Sequence, residues 1–154
     1  MSRDLDATDR RILAELQRDG RLTHQELSER IGLSPTPCAR RVRMLEEDGY
    51  ITGFAAQIDE MKMGFGFSVF VSVKLGRQTD NQLVSFERAI SAYPEVVDCW
   101  LMTGSRDYLL RVAVADLNEF ERFLTGRLTK LPEVVSLESS IPIRRVKGRQ
   151  TRLI

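Results

Sequence analysis

The chain has one histidine, two cysteines and one tryptophan in 154 residues, and no long apolar run. Each scarcity removes a class of function. A zinc site needs four clustered nitrogen, sulfur or oxygen ligands, and His24, Cys38 and Cys99 are scattered. His24 lies inside a helix-start signal, where a solvated side chain is its simplest reading. No nucleophile can be matched to a base, so the expectation is that the chain is not an enzyme. No Walker loop and no dinucleotide glycine fingerprint follows a strand. No segment approaches the roughly 20 apolar residues that span a bilayer. Met1-Ser2-Arg3-Asp4 carries charge with no apolar stretch behind it, unlike a secretory signal. The cysteines are therefore read as reduced thiols in a cytoplasmic protein.

Hydrophobic residues at 42% and charged residues at 29% are values of a folded globular chain. The net charge of +1 does not by itself suggest a nucleic-acid partner. Its distribution says more, because a phosphate backbone responds to local clusters. Arg40, Arg41 and Arg43 stand together with no acid between Ser34 and Leu45. Arg144, Arg145, Lys147, Arg149 and Arg152 gather near the end, where a solvated tail is an equal reading.

One phrase is written twice. Leu83-Val84-Ser85-Phe86-Glu87-Arg88, followed by Tyr93-Pro94-Glu95-Val96-Val97, returns as Leu117-Asn118-Glu119-Phe120-Glu121-Arg122, followed by Leu131-Pro132-Glu133-Val134-Val135. An apolar strand precedes each copy, Phe67 to Leu75 and Tyr108 to Ala115. Strand, helix, strand used twice is the split βαβ, or ferredoxin-like, plan. Phe67, Val69, Val71, Val73 and Leu75 alternate with Ser68, Phe70, Ser72 and Lys74, which gives one dry face. Leu83, Phe86 and Ile90, with Leu117, Phe120, Leu124 and Leu128, are the helix stripes expected to cover it. Phe70, Trp100 and Met102 on the opposite face suit a second copy of the sheet, or a cover from the other module.

The amino-terminal residues spell three helices. Asp6 is a good N-cap for the first, which carries Ile12, Leu13 and Leu16. Thr23-His24-Gln25-Glu26 is a capping box for the second, which buries Leu27 and Ile31 and stops at Gly32. Ser34 caps the third, with Pro35 at its first position and Gly49 beyond its end. So short a glycine turn between helices marks a helix-turn-helix. With Val42, Leu45 and Ala39 inward and Cys38 at the stripe's edge, Thr36, Arg40, Arg43 and Glu47 face away, and Pro37, Arg41 and Met44 flank them. Arginine's planar fork suits guanine edges and phosphates. The expected DNA contacts are Ser34, Thr36, Pro37, Arg40, Arg41 and Arg43. The competing reading has these arginines pairing with Glu46, Glu47 or Asp48.

The expected architecture is α+β. Residues 1–50 form a winged helix-turn-helix. Residues 51–66 are a wing or extended connector ending in a hinge at Met61–Gly66. Residues 67–154 form the ferredoxin-like domain with a basic tail. Between its second and third strands lies Thr103-Gly104-Ser105-Arg106-Asp107, a hairpin turn whose amides and hydroxyl suit a carboxylate, and whose Asp107 suits an ammonium group.

The chain resembles the Lrp/AsnC (leucine-responsive regulatory protein, feast/famine) family over essentially its whole length. The likeness rests on Leu5-Asp6-Ala7-Thr8-Asp9-Arg10-Arg11-Ile12-Leu13 and on Leu27-Ser28-Glu29-Arg30-Ile31-Gly32-Leu33-Ser34. It continues in Arg40-Arg41-Val42-Arg43-Met44-Leu45-Glu46-Glu47-Asp48-Gly49 and in Gly104-Ser105-Arg106-Asp107-Tyr108-Leu109-Leu110. The resemblance implies a bacterial or archaeal, nucleoid-associated transcriptional regulator that binds double-stranded DNA. It implies a homodimer paired through its sheets, assembling to a tetramer or octamer. It also implies an amino-acid effector, and no other cofactor, at an interface between effector domains near Thr103, Gly104, Ser105, Asp107 and Tyr108, with Ser139 and Ser140 as further lining. Met44 and Arg106 depart from the family's usual residues. The alternative is an amino-acid sensor that binds no DNA and docks on a protein partner.

Overall fold

The computed structural model describes residues 4–148. Among the described residues the chain divides into two compact units, residues 4–57 with 147–148, and residues 58–146.

The first unit holds α1 (Ala7–Arg18), α2 (His24–Ile31) and α3 (Pro35–Glu47). Asp6 caps α1 reciprocally: its carboxylate accepts from Asp9 N–H at 2.7 Å, and Asp9 accepts from Asp6 N–H at 3.3 Å. Thr23 and Glu26 do the same for α2. Gly32, at φ +73°, ends α2 in the left-handed region that favours glycine. Its N–H and that of Leu33 both turn back to the Ser28 carbonyl. Ile12, Leu13, Leu27, Ile31, Cys38, Val42 and Leu45 form the core. Cys38 thus sits at the centre of α3's buried stripe, not at its edge, and Ala39 is only half-buried. The spacing 38, 42, 45 keeps three side chains within a narrow arc, which Ala39 lies outside.

After α3 the chain runs from Ile51 to Asp59 without strand or helix. The strand-forming residues there form no strand. The segment expected to hinge is itself a hydrogen-bonded turn. Asp59 accepts from the N–H groups of Met61 and Lys62, and Phe65 N–H bonds the Glu60 carbonyl at 2.8 Å. Glu60 then grips Arg111 with two 3.0 Å bonds, fixing this turn to the second unit's sheet.

That unit contains β1 (Phe67–Leu75), α4 (Asp80–Ser91), β2 (Val96–Leu101), β3 (Tyr108–Val114), α5 (Leu117–Gly126) and β4 (Val134–Ser140). The sheet is antiparallel in the order β2-β3-β1-β4, the ferredoxin-like arrangement. The repeated phrase folds as a repeated turn: Val96 N–H bonds the Tyr93 carbonyl and Val134 N–H the Leu131 carbonyl, both at 3.1 Å. A single 3-10 turn, Leu128–Lys130, lengthens the second copy.

Val69, Val71, Val73 and Leu75 of β1 and Leu110, Val112 and Val114 of β3 face Phe86, Ile90, Phe120, Phe123 and Leu128. Leu117, expected in this stripe, is 58% exposed, and Phe123 takes the buried place. Leu117 opens α5's first turn, while Phe120 and Phe123 share the face turned to the sheet. Phe70, Leu109, Trp100 and Arg111 mark the other face, because paired residues on neighbouring strands point the same way. Arg144, Arg145 and Lys147 are exposed, and Arg149 and Arg152 lie outside the described residues.

Candidate functional site

Helix α3 begins unusually. Ser34 has the extended backbone of an N-cap (φ −74°, ψ 152°), but its hydroxyl makes no capping bond. A capping oxygen ordinarily takes the N–H of the second or third helical residue. The third is Pro37, which has none. Ser34, Thr36, Pro37, Arg40 and Arg43 are all exposed. Arg40 and Arg43 form no ion pair among the described residues, so the expected alternative, pairing with the acids at the end of α3, is not what this structure contains.

Arg41 does not join them. Its Nη1 donates to Asp6 Oδ2 at 2.7 Å and to Asp9 Oδ1 at 2.8 Å, and its side chain is 25% exposed. The reason is angular. With the buried stripe centred on Cys38, Arg41 lies about 60° from the core axis at 100° per residue, close enough for its long stem to reach α1. Arg41, expected at the DNA, is half-buried and paired within the three-helix unit. The Asp9 N–H, and then the guanidinium, hold the Asp6 carboxyl below its usual range.

The hairpin between β2 and β3 closes with Met102 N–H on the Asp107 carbonyl at 2.8 Å, and Gly104 takes φ +107°. Thr103, Gly104 and Ser105 are exposed. Asp107 is 2% exposed, contrary to a carboxylate waiting for an ammonium group. It accepts from Leu75 N–H at 2.7 Å, from Lys74 Nζ at 3.0 Å and from the Gln78 amide. Burial alone would raise its carboxyl, but these donors outweigh it and leave the group below its ordinary value. Tyr108 is also internal. Its ring packs against Phe86 at a 38° tilt with centroids 4.6 Å apart, and its hydroxyl donates to Glu87 at 2.7 Å.

Ser139 and Ser140 are exposed on β4, opposite Val71 and Phe70. The link from hairpin to β4 is made by other residues: Arg106 donates to Ser136 Oγ at 2.7 Å and to Glu138 at 2.8 Å. The hairpin's exposed residues and Ser139 are not joined by any bond among the described residues. A cavity of about 250 Å³ lies between α4 and β2, lined by Glu87, Ile90, Ser91, Cys99, Leu101 and Tyr108. Cys99 is exposed, and partial desolvation, then the Glu87 charge, pushes its thiol up to about 11.

Residues 68–151 match the family model of the Lrp/AsnC ligand-binding domain, and residues 5–52 match a winged helix-turn-helix DNA-binding model. The chain belongs to the Lrp/AsnC family. Among relatives, the Bkd operon transcriptional regulator of Pseudomonas aeruginosa is 46% identical over 146 residues, 95% of each chain. The leucine-responsive regulatory protein of Escherichia coli is 39% identical over 152 residues, 99% of this chain and 92% of the relative. A Neisseria meningitidis transcriptional regulator solved as an L-Met complex superposes with TM-score 0.91 at 36% identity, over 96% of this chain and 95% of that one. The Lrp/AsnC protein described here is thus a DNA-binding transcriptional regulator with the family's ligand-binding domain, and not an enzyme.

Sequence reasoning missed Lys74, Gln78, Ser136 and Glu138 of this Lrp/AsnC effector domain. Only one signal pointed to any of them: Lys74 is the lone cation in an otherwise uncharged strand. Among the described residues, Gln82 Oε1 is buried with no hydrogen-bond partner.

Proposed function

We propose that α3 enters the major groove with Ser34, Thr36, Pro37, Arg40 and Arg43 nearest the DNA, and that an amino acid bound between effector domains adjusts occupancy. The observation that carries this reading is the exposed face of α3, where two guanidinium groups have no acid partner among the described residues. Two hydroxyls at its start add neutral donors for phosphate oxygens. A two-fold homodimer would present two such helices to half-sites about 34 Å apart, or a multiple of that. Assembly to a tetramer or octamer and a place on the nucleoid, in the cytoplasm, complete the proposal. Effector binding would act by differing affinity for the assembled states.

For the effector, Thr103, Gly104 and Ser105 supply open amides and hydroxyls, with Ser139 contributed across an interface. Asp107 and Tyr108 serve by shaping the hairpin from beneath. The relative solved with L-Met makes a small amino acid the class to test first.

Selection of bound fragments from the host genome, with and without each of the twenty amino acids, tests both halves. Retained fragments whose yield changes with one amino acid are expected. No retained DNA would reject the DNA half, and calorimetry without heat from any amino acid would reject the effector half. On a selected fragment, Arg43→Ala should reduce the log–log salt slope by about one unit.

A further inference from the structure

Three helices can present a reading face only if the third is held in a fixed place on the other two. Apolar ridges and grooves fix much of this, but many near-equivalent packings differ by small rotations and shifts. A polar contact with one geometry removes that freedom. In this unit the contact is Arg41. A single nitrogen, Nη1, donates to two carboxylates, Asp6 at 2.7 Å and Asp9 at 2.8 Å. Those two carboxylates are the halves of the reciprocal cap that starts α1. Asp9 is fully buried, so its orientation is set by packing as well as by hydrogen bonds. The arrangement ties the middle of α3 to the first turn of α1, 32 and 35 residues earlier in the chain.

We infer that Arg41 is a positioning residue: it sets the rotation and axial place of α3 through the α1 cap, and its charge does not reach the DNA. This rests on α3 being the reading helix. Arg41 is flanked by Arg40 and Arg43, which remain exposed, so three arginines in four positions divide into two roles. Two acids already sit against the Arg41 guanidinium. A phosphate drawn to that group would meet them first.

The two roles predict opposite behaviour, which a double-mutant cycle reads on a selected DNA fragment. The proteins are the wild type, Arg41→Gln, Asp6→Asn, and both together. Asn ranks with Asp as an N-cap, so Asp6→Asn removes the charge and keeps the cap. If Arg41 positions α3, Arg41→Gln weakens specific binding about tenfold with the salt slope unchanged, and its cost shrinks in the Asp6→Asn background. If Arg41 instead touches phosphate, the slope falls by about one unit, and the cost stays equal or grows once Asp6 no longer competes. That second pattern overturns the assignment.

Should Arg41→Gln fail to give the wild-type circular dichroism spectrum, Asp6→Asn carries the test alone, through the ratio of specific to non-specific affinity. Loss of a charge near DNA raises both affinities, so the ratio cancels that effect. A lower ratio supports positioning, and an equal or higher one overturns it. Wild-type protein that retains no DNA, or Arg40→Ala and Arg43→Ala variants with unaltered slopes, would defeat the reading-helix account, and this inference with it.

Discussion

In the first unit a fully buried aspartate, Asp9, meets a guanidinium brought in by another helix; in the second, Asp107 at 2% exposure meets an ammonium group from a neighbouring strand. Both acids belong to motifs that read from sequence as surface features, one in a helix start and one in a turn. Both prove to be internal joints. A carboxylate leaves water only when charge and hydrogen bonds replace the solvent, so each had to recruit a cation from a distant part of the chain. They differ in what they join. Asp107 also takes a backbone N–H and a side-chain amide, tying the end of β1 to the entry of β3. Asp9 shares its arginine with Asp6, and the pair sets one helix against another. The same physical device makes a hairpin rigid in one unit and registers a helix in the other.

The largest effect expected from this comparison is on the second unit. Asp107→Ala leaves the Leu75 N–H buried without a partner and the Lys74 charge uncompensated. It should cost about 3 kcal/mol, at the lower end for a broken buried pair because Lys74 is partly exposed. Denaturant unfolding followed by peptide-resolved hydrogen exchange would show faster exchange across residues 67–114 and little change in 7–47. A loss under about 1 kcal/mol would mean that the joint is ornamental.

Asp9→Ala reverses the pattern. It removes one of Arg41's two acceptors and the cap bond to Asp6, and should cost about 2 kcal/mol, with exchange rising across α1 and α3. An equal rise in both units would erase the distinction drawn here.

The smallest effect is the dependence on acid. The folded carboxyls of Asp6 and Asp107 both lie below the ordinary value of 3.8. A depressed group contributes its stability fully above the unfolded value and loses it as pH falls through the folded one. Both units should therefore hold steady down to about pH 4 and weaken below it. Asp107→Asn should flatten that fall in the second unit only, which an acid titration of the same exchange signals would check.

Much of the fold could be read before any coordinates, because its signals are local. The doubled helix-and-turn phrase gives βαββαβ, and the Thr23–Glu26 box and Gly32 bound α2 from six to nine residues apart. The alternation in β1 separates its two faces correctly. What could not be read are the long-range partners of charged side chains. Arg41 and Asp6 are 35 positions apart, Asp107 and Lys74 are 33, and Arg111 and Glu60 are 51. A helical wheel places Arg41 on a flank, but not whether a flexible stem turns outward or back. The order within the Met61–Gly66 stretch was hidden for the same reason. Its two glycines resemble a hinge locally, and the grip of Glu60 on Arg111 that fixes it comes from far along the chain.

The prolines at the first and third positions of α3 have a consequence for what can sit there. Cys38 N–H is already engaged by the Ser34 carbonyl at 3.2 Å, so of residues 35–38 Thr36 alone keeps an amide hydrogen with no carbonyl partner among the described residues. Helix starts usually offer an anion several such hydrogens at once. This one is nearly bare. A negatively charged visitor there meets the Thr36 N–H and the hydroxyls of Ser34 and Thr36, whose rotating O–H groups can donate over many approach angles where a fixed amide donates along one.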